Sequence, residues 1–163
     1  MLLSIRDFQE ADYPEVSKIY KDGIDTGIAT FETEVPDFIN WNLRFYQSCR
    51  LVAILDNEVV GWAALSLVSK RNVYSGVAEV TIYISQKHQG QKIGSLILEK
   101  LIAKSEAEGF WTLTAHIFPQ NKSSIHLHLK YNFKVLGVHE KIAKRDNKWE
   151  DNILLERRST KIF

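Results

Sequence analysis

AEVTIYISQKHQGQKIGSLILEKLIAKSEAEG, residues 78–109, is the stretch on which the architecture turns. Its first seven residues, AEVTIYI, are rich in β-branched and aromatic side chains and predict a buried strand. A polar segment, SQKHQGQK, follows. Apolar residues then recur at Ile93, Ile97 and Leu101, with Leu98 and Ile102 beside them, which is one face of a helix. Gly109 is the residue type that takes the left-handed position ending a helix. A strand, a Gly-bearing loop and a helix N-terminus together make an anion site. The first helical amides lack intrahelical acceptors, and the helix dipole adds positive potential at the same place.

Working outward, the 163 residues suit one domain, 1–163, with a sizeable core. Hydrophobic residues make up 45% and charged residues 25%, the balance of a globular, soluble chain. A formal net charge of +1 gives no electrostatic reason to expect nucleic acid or an anionic membrane as partner. The lone Cys49 excludes an internal disulfide framework and fits a reducing cytoplasm. No apolar run has the length of a signal peptide core or a membrane span. The expected location is therefore the cytoplasm.

Leu2 to Ile5 predicts a first strand, and Val16, Ile19 and Ile24 a helix running into Tyr20-Lys21-Asp22-Gly23. Residues 26–36 carry no period and predict a loop. Asp37 to Ser48 predicts a second helix after Pro36. Leu51 to Leu55 and Val59 to Val68 read as a hairpin turned at Asp56-Asn57. After the central strand and helix come a strand at Trp111 to Phe118, a helix capped by Asn121, and two strands, Phe133 to Glu140 and Asp151 to Glu156. The tail RRSTKIF reads as a frayed end. The order β-α-α-β-β-β-α-β-α-β-β predicts an α/β fold with a mixed, mostly antiparallel sheet flanked by helices.

Gln89-Gly90-Gln91-Lys92-Ile93-Gly94 resembles the pyrophosphate loop of the GNAT N-acetyltransferases, Q/R-x-x-G-x-G/A, with Lys92 standing where the first motif Gly is usual. The element order is also that of the GNAT fold. Within that superfamily the chain resembles the phosphinothricin and methionine sulfone N-acetyltransferase group in several segments. These are Tyr20 with Ala29-Thr30-Phe31-Glu32-Thr33, Arg71 with Tyr74-Ser75-Gly76, Glu79 in its strand, Asn121 to Phe133, and Lys148-Trp149-Glu150-Asp151. It departs from that group at Ser69, Ser75, Thr81, Leu129 and Asn132. The resemblance implies an acetyl-CoA-dependent N-acetyltransferase acting on a small amino acid or analogue by direct attack of the amine on the thioester. It also implies that strand 78–84 splays from strand 111–118 to receive the cofactor, and it allows a homodimer, with Trp149 and Tyr74 as interface candidates.

Residue by residue, the backbone of Gln89, Gly90, Gln91, Lys92, Ile93, Gly94 and Ser95 is the candidate pyrophosphate cradle, and Ile82, Tyr83 and Ile84 offer main-chain groups to the pantetheine arm. Lys92 either adds a charge or points to solvent. Asn121 caps its helix and, by resemblance, contacts the cofactor. Glu79, a carboxylate in an apolar strand, is the candidate base, directly or through a water; its alternative is a salt bridge to Arg71 or Lys70. His128 is the second proton-transfer candidate, with His126 two positions away serving as a control. His88 and His116 have no evident role, and no His/Cys spacing predicts a metal. Arg71 is the candidate carboxylate anchor, and Phe31 and Tyr74 candidate pocket walls. Two other readings stay open: acetylation of another amine (polyamine, aminoglycoside-like amine or protein N-terminus), and a non-catalytic coenzyme A sensor.

Overall fold

The computed structural model describes residues 2–163. In chain order it forms β1 (Leu3–Asp7), α1 (Tyr13–Asp25), α2 (Phe38–Arg44), β2 (Phe45–Leu55), β3 (Glu58–Leu67), β4 (Val77–Ile84), α3 (Ile93–Ala107), β5 (Thr112–Ile117), α4 (Lys122–Lys130), β6 (Lys134–Arg145) and β7 (Lys148–Arg158). This is the expected order. One seven-stranded sheet runs β1-β2-β3-β4-β5-β7-β6. Every neighbouring pair is antiparallel except β4 and β5, which the α3 crossover makes parallel.

The parallel pair is short. β4 and β5 are in register only from Val77↔Thr112 to Glu79↔Thr114, whereas β4 stays paired with β3 as far as Gly61↔Ile84. Beyond Glu79 the sheet is therefore split, and the edge of β4 carries backbone groups without a strand partner. This split positions the site.

Two cores hold the sheet. On one face α3 inserts Ile93, Ile97, Leu98 and Leu101, all buried, against β2, β3 and β5. On the other, α1 presents Val16, Ile19, Tyr20 and Ile24 at helical spacing to an aromatic cluster of Trp41, Phe45, Trp62 and Tyr83. Burying one such side chain contributes roughly 1.5–3 kcal/mol, so these contacts dominate the fold. Gly23 lets α1 approach closely: a Cβ there would lie 2.4 Å from the Tyr83 ring.

Three expectations change. The second helix ends at Arg44 rather than Ser48, and β2 begins at Phe45. Between Phe45↔Ser66 and Arg50↔Ala64 the strand bulges. Buried Arg50 fills the bulge, donating to the Asn42 and Tyr46 carbonyls at 2.7 and 2.9 Å, to the Asn42 side chain at 2.6 Å and to the Phe45 carbonyl. These acceptors satisfy the buried guanidinium and the irregular backbone at once. The turn between the last strands narrows to Asp146-Asn147, whose φ of 49° and 63° are those of a two-residue hairpin loop, and both strands lengthen. The C-terminus is not frayed. The amide of buried Ser159 donates to the Trp111 carbonyl at 2.8 Å, and its hydroxyl donates to Glu106 at 2.9 Å. Among the described residues no helix is long and apolar enough to cross a membrane.

Candidate active site

A cleft of about 870 Å³ opens where β4 and β5 part. One end lies over the loop before α3. Gln89, Gly90, Lys92, Ile93, Gly94 and Ser95 line it; Gln91 does not. Gly90 has φ +77°, and Lys92, the N-cap of α3, has φ +63°. Lys92 thus keeps the left-handed backbone at the position where the loop pattern has Gly. No side chain caps α3, so its first amides stay available to an anion. A Cβ on Gly94 would lie 3.3 Å from Leu127, so this glycine allows α3 and α4 to converge. Lys130 reaches across from α4 to within 3.2 Å of the Ser95 hydroxyl, placing a cation over the first turn of α3.

Ile82, Tyr83 and Ile84 form the middle wall, on the unpaired edge of β4. The Tyr83 ring turns away from α3. It stacks on Tyr20 and Trp62, centroids 4.9 and 5.3 Å apart, and burial pushes its phenol far above the ordinary range. Asn121 caps α4 as its position predicts. Its side chain accepts from the Ser124 amide at 3.3 Å, and the residue lines the cleft.

The other end is walled by Tyr20, Thr30, Phe31, Glu32 and Arg44. Phe31 packs edge-on against Phe118 at 4.6 Å. Arg44 pairs with Glu32 at 3.1 Å. The segment carrying Thr30 and Phe31 is tied down from β6: Arg145 donates to the Ile24 carbonyl at 2.6 Å and to the Thr30 carbonyl.

Glu79 sits at this end, at the last paired rung of β4 and β5. Neither Arg71 nor Lys70 is its partner. Its Oε1 lies 2.6 Å from Nδ1 of His116, and the Glu79 side chain is 35% exposed although its strand is apolar. The hydrogen bond to Glu79 raises the His116 imidazole above its ordinary range, against the smaller opposing effect of burial. His139 on β6 stacks on His116, ring centroids 6.2 Å apart.

His128 is 2% exposed. Its Nδ1–H donates to the Ser124 carbonyl at 2.7 Å, which leaves Nε2 as a buried lone pair with no partner. Burial pushes this imidazole below its ordinary range, partly offset by that bond. Burial thus favours the neutral ring, which does not serve as a resting proton donor. His126 lines the cleft too, so it is not the remote control that its spacing implied.

All five histidines of the chain line this one cleft. Arg71 and Tyr74 do not: the Arg71 guanidinium lies over the Tyr74 ring at 5.4 Å, and Tyr74 is exposed. The cations that line the cleft are Arg44, Lys92 and Lys130. His116, His139, Arg44 and Arg145 escaped the reading of the sequence. Strand alternation puts His116 on one face with Thr114, but only the register Glu79↔Thr114 brings it to the carboxylate. Among the described residues no group of three or more His, Cys, Asp or Glu is arranged to hold a metal.

A split parallel pair over a glycine-bearing helix entry is a sheet-edge and anion site in one. The sequence model of the Acetyltransferase (GNAT) family matches residues 4–133. The chain belongs to that family. Among GNAT relatives, the phosphinothricin N-acetyltransferase of Alcaligenes faecalis is 28% identical over 160 residues, spanning 94% of this chain and 81% of that protein. The L-methionine sulfoximine/L-methionine sulfone acetyltransferase of Pseudomonas aeruginosa is 27% identical, spanning 93% and 91%. The crystal structure of a GNAT superfamily phosphinothricin acetyltransferase from Sinorhizobium meliloti in complex with AcCoA superposes with a TM-score of 0.88 at 29% identity, covering 97% of this chain and 89% of that one.

Proposed function

We propose that this GNAT enzyme transfers the acetyl group of acetyl-CoA to the primary amine of a small amino acid or analogue, of the phosphinothricin, methionine sulfone or methionine sulfoximine type. The observation that carries the reading is the cleft itself, which joins a free β4 edge and uncapped α3 amides at one end to a carboxylate, Glu79, at the other. The amides of Gly90 to Ser95, with Lys92 and Lys130, suit a pyrophosphate; the Ile82–Ile84 edge suits the amides of a pantetheine arm. An acceptor would lie among Phe31, Thr30, Arg44 and Glu79, and Arg44 is the guanidinium best placed for its carboxylate.

The chemistry asks for one proton to leave the acceptor ammonium before the nitrogen attacks the thioester carbon. The C–N bond forms, the C–S bond breaks, and a second proton passes from nitrogen to the thiolate. Glu79 supplies the negative charge that draws the first proton away. His128, buried and held below its ordinary range, is not the resting acid. Names of the relatives support the acceptor class, and the lone buried Cys49 supports a cytoplasmic site of action. The outer strand β6, with exposed Val135, Leu136, Val138 and Ile142, supports a homodimer.

Thiol release from acetyl-CoA tests the reading, measured across methionine sulfone, methionine sulfoximine, phosphinothricin, ordinary amino acids and polyamines. Turnover on a sulfone- or phosphinate-type amino acid, reduced in Glu79→Gln, is the expected result. Turnover confined to polyamines overturns the acceptor class, and acetyl-CoA binding without turnover on any amine overturns catalysis.

A further inference from the structure

The acetyl-transfer reading needs a group that takes a proton from an ammonium, and a lone carboxylate is a weak base for that task. The structure offers a better arrangement one strand away. His116 and Glu79 stand on neighbouring strands at the point where β4 and β5 separate, with Nδ1 of His116 2.6 Å from Glu79 Oε1. The carboxylate accepts Nδ1–H, which fixes the tautomer and leaves the Nε2 lone pair as the free end of the ring. The His116 side chain is 39% exposed and the residue lines the cleft, so Nε2 is reachable by a bound acceptor.

We propose that His116 is the immediate proton acceptor in the transfer reaction and that Glu79 is its positioning carboxylate. The inference rests on the acetyl-transfer reading and assigns its proton step. An acceptor R–NH3+ gives one proton to His116 Nε2, forming an imidazolium whose charge the Glu79 carboxylate balances. The amine attacks the acetyl carbon, the C–S bond breaks, and the second nitrogen proton ends on the thiol. His116 then returns its proton to water on the open side of the sheet. The carboxylate–imidazole pairing does here what it does wherever a histidine must be oriented and its cation stabilised.

The titratable and charged groups around His116 come from every neighbouring element. Glu79 faces it from β4, and exposed His139 stacks on it from β6. Glu156 of β7 and Lys134 of β6 oppose each other two rungs away, since His116 pairs with Leu154, Thr114 with Glu156 and Glu156 with Lys134. Glu32 and Arg44 line the cleft but pair with each other. The direct bond to Glu79 is the closest of these interactions and favours the protonated ring.

The test compares wild type, His116→Asn and Glu79→Gln. Asn keeps a donor for Glu79 but cannot hold a proton. Its kcat is expected to fall by about 100-fold or more, with acetyl-CoA affinity by calorimetry unchanged. In wild type, kcat/KM is expected to decline as pH falls through the His116 value, above 6.5. In Glu79→Gln that acid limb moves to lower pH, and so does the His116 Cε1–H titration followed by NMR. Retention of kcat and of the acid limb in His116→Asn overturns the assignment and leaves acetyl transfer standing, as does a His116 titration indifferent to Glu79→Gln. Absence of wild-type turnover on every amine overturns the transfer reading and the proton step with it.

Discussion

Lys92 tests the loop most directly, because it is a non-glycine residue with φ +63° and no ion pair among the described residues. A side chain in the left-handed region costs roughly 1–2 kcal/mol. Glycine removes that cost but makes the unfolded chain more flexible, which returns roughly 0.5–1 kcal/mol. Lys92→Gly should therefore be more stable than Lys92→Ala by about 0.5–1 kcal/mol, since both lose the ammonium and only Ala keeps the strained backbone. For a chain of this size the difference is about 1–4 °C in Tm. Urea denaturation and thermal scans of the two variants measure it. Equal midpoints, or a lower one for Lys92→Gly, would refute the claim that the backbone at this N-cap is strained. The same pair decides what the ammonium does. If it meets a phosphate, both variants weaken acetyl-CoA binding by about 2- to 5-fold, the worth of an exposed ion pair; if it points to solvent, neither does.

Other outcomes follow from the geometry. Arg145→Ala removes two charged hydrogen bonds to the Ile24 and Thr30 carbonyls. It should cost about 2 kcal/mol of stability and raise the acceptor KM while leaving acetyl-CoA affinity alone, as urea titration and steady-state kinetics would register. Burial pushes the Glu106 carboxyl up, but hydrogen bonds from Arg157, Ser159 and Lys161 outweigh it and hold it below the usual range. A depressed carboxylate stabilises above its unfolded value and loses that contribution as pH falls through its folded one. The stability gap between wild type and Glu106→Gln, about 3 kcal/mol at neutral pH, should thus narrow below roughly pH 4.5. The depressed His128 imidazole has the same sign: its contribution is intact above its unfolded value and is lost as pH falls through the folded one. His128→Gln should flatten the acid side of the stability profile just below pH 6.5 in guanidinium titrations.

What the sequence disclosed and what it hid divide along a physical line. Strand, loop and helix at 78–109 were legible because burial writes itself as periodicity, and Asn121 and Gly109 because capping chemistry is local. The boundary at Arg44/Phe45 was not. Trp41 and Phe45 fit a helical spacing, and the strand that replaces the helix is stabilised by the Arg50 side chain filling a bulge, a contact that leaves no period in the sequence. Glu79, His128 and the loop could be singled out, and they share the cleft. Arg71 is a cleft candidate by residue chemistry and by resemblance, and its side chain instead covers Tyr74 outside. His116 lacked any signal, since its meaning arises from a rung between two strands 37 positions apart. The RRSTKIF tail looked free for the same reason. Its anchors, Glu106 and the Trp111 carbonyl, lie about fifty residues upstream.

The three rungs joining β4 to β5 make the sheet two panels hinged on a narrow seam, β1–β4 on one side and β5, β7 and β6 on the other. A molecule whose own amides bond along Ile82–Ile84 would take the place of the missing rungs and act as a removable rib across that seam. Cofactor affinity and the stiffness of the whole molecule are then one quantity seen from two sides. A substitution far out on β6 or β7 that lets the panels rock would weaken cofactor binding without touching the cleft. Saturating cofactor should, in turn, slow amide exchange in β5 and β7 as well as at the residues it contacts.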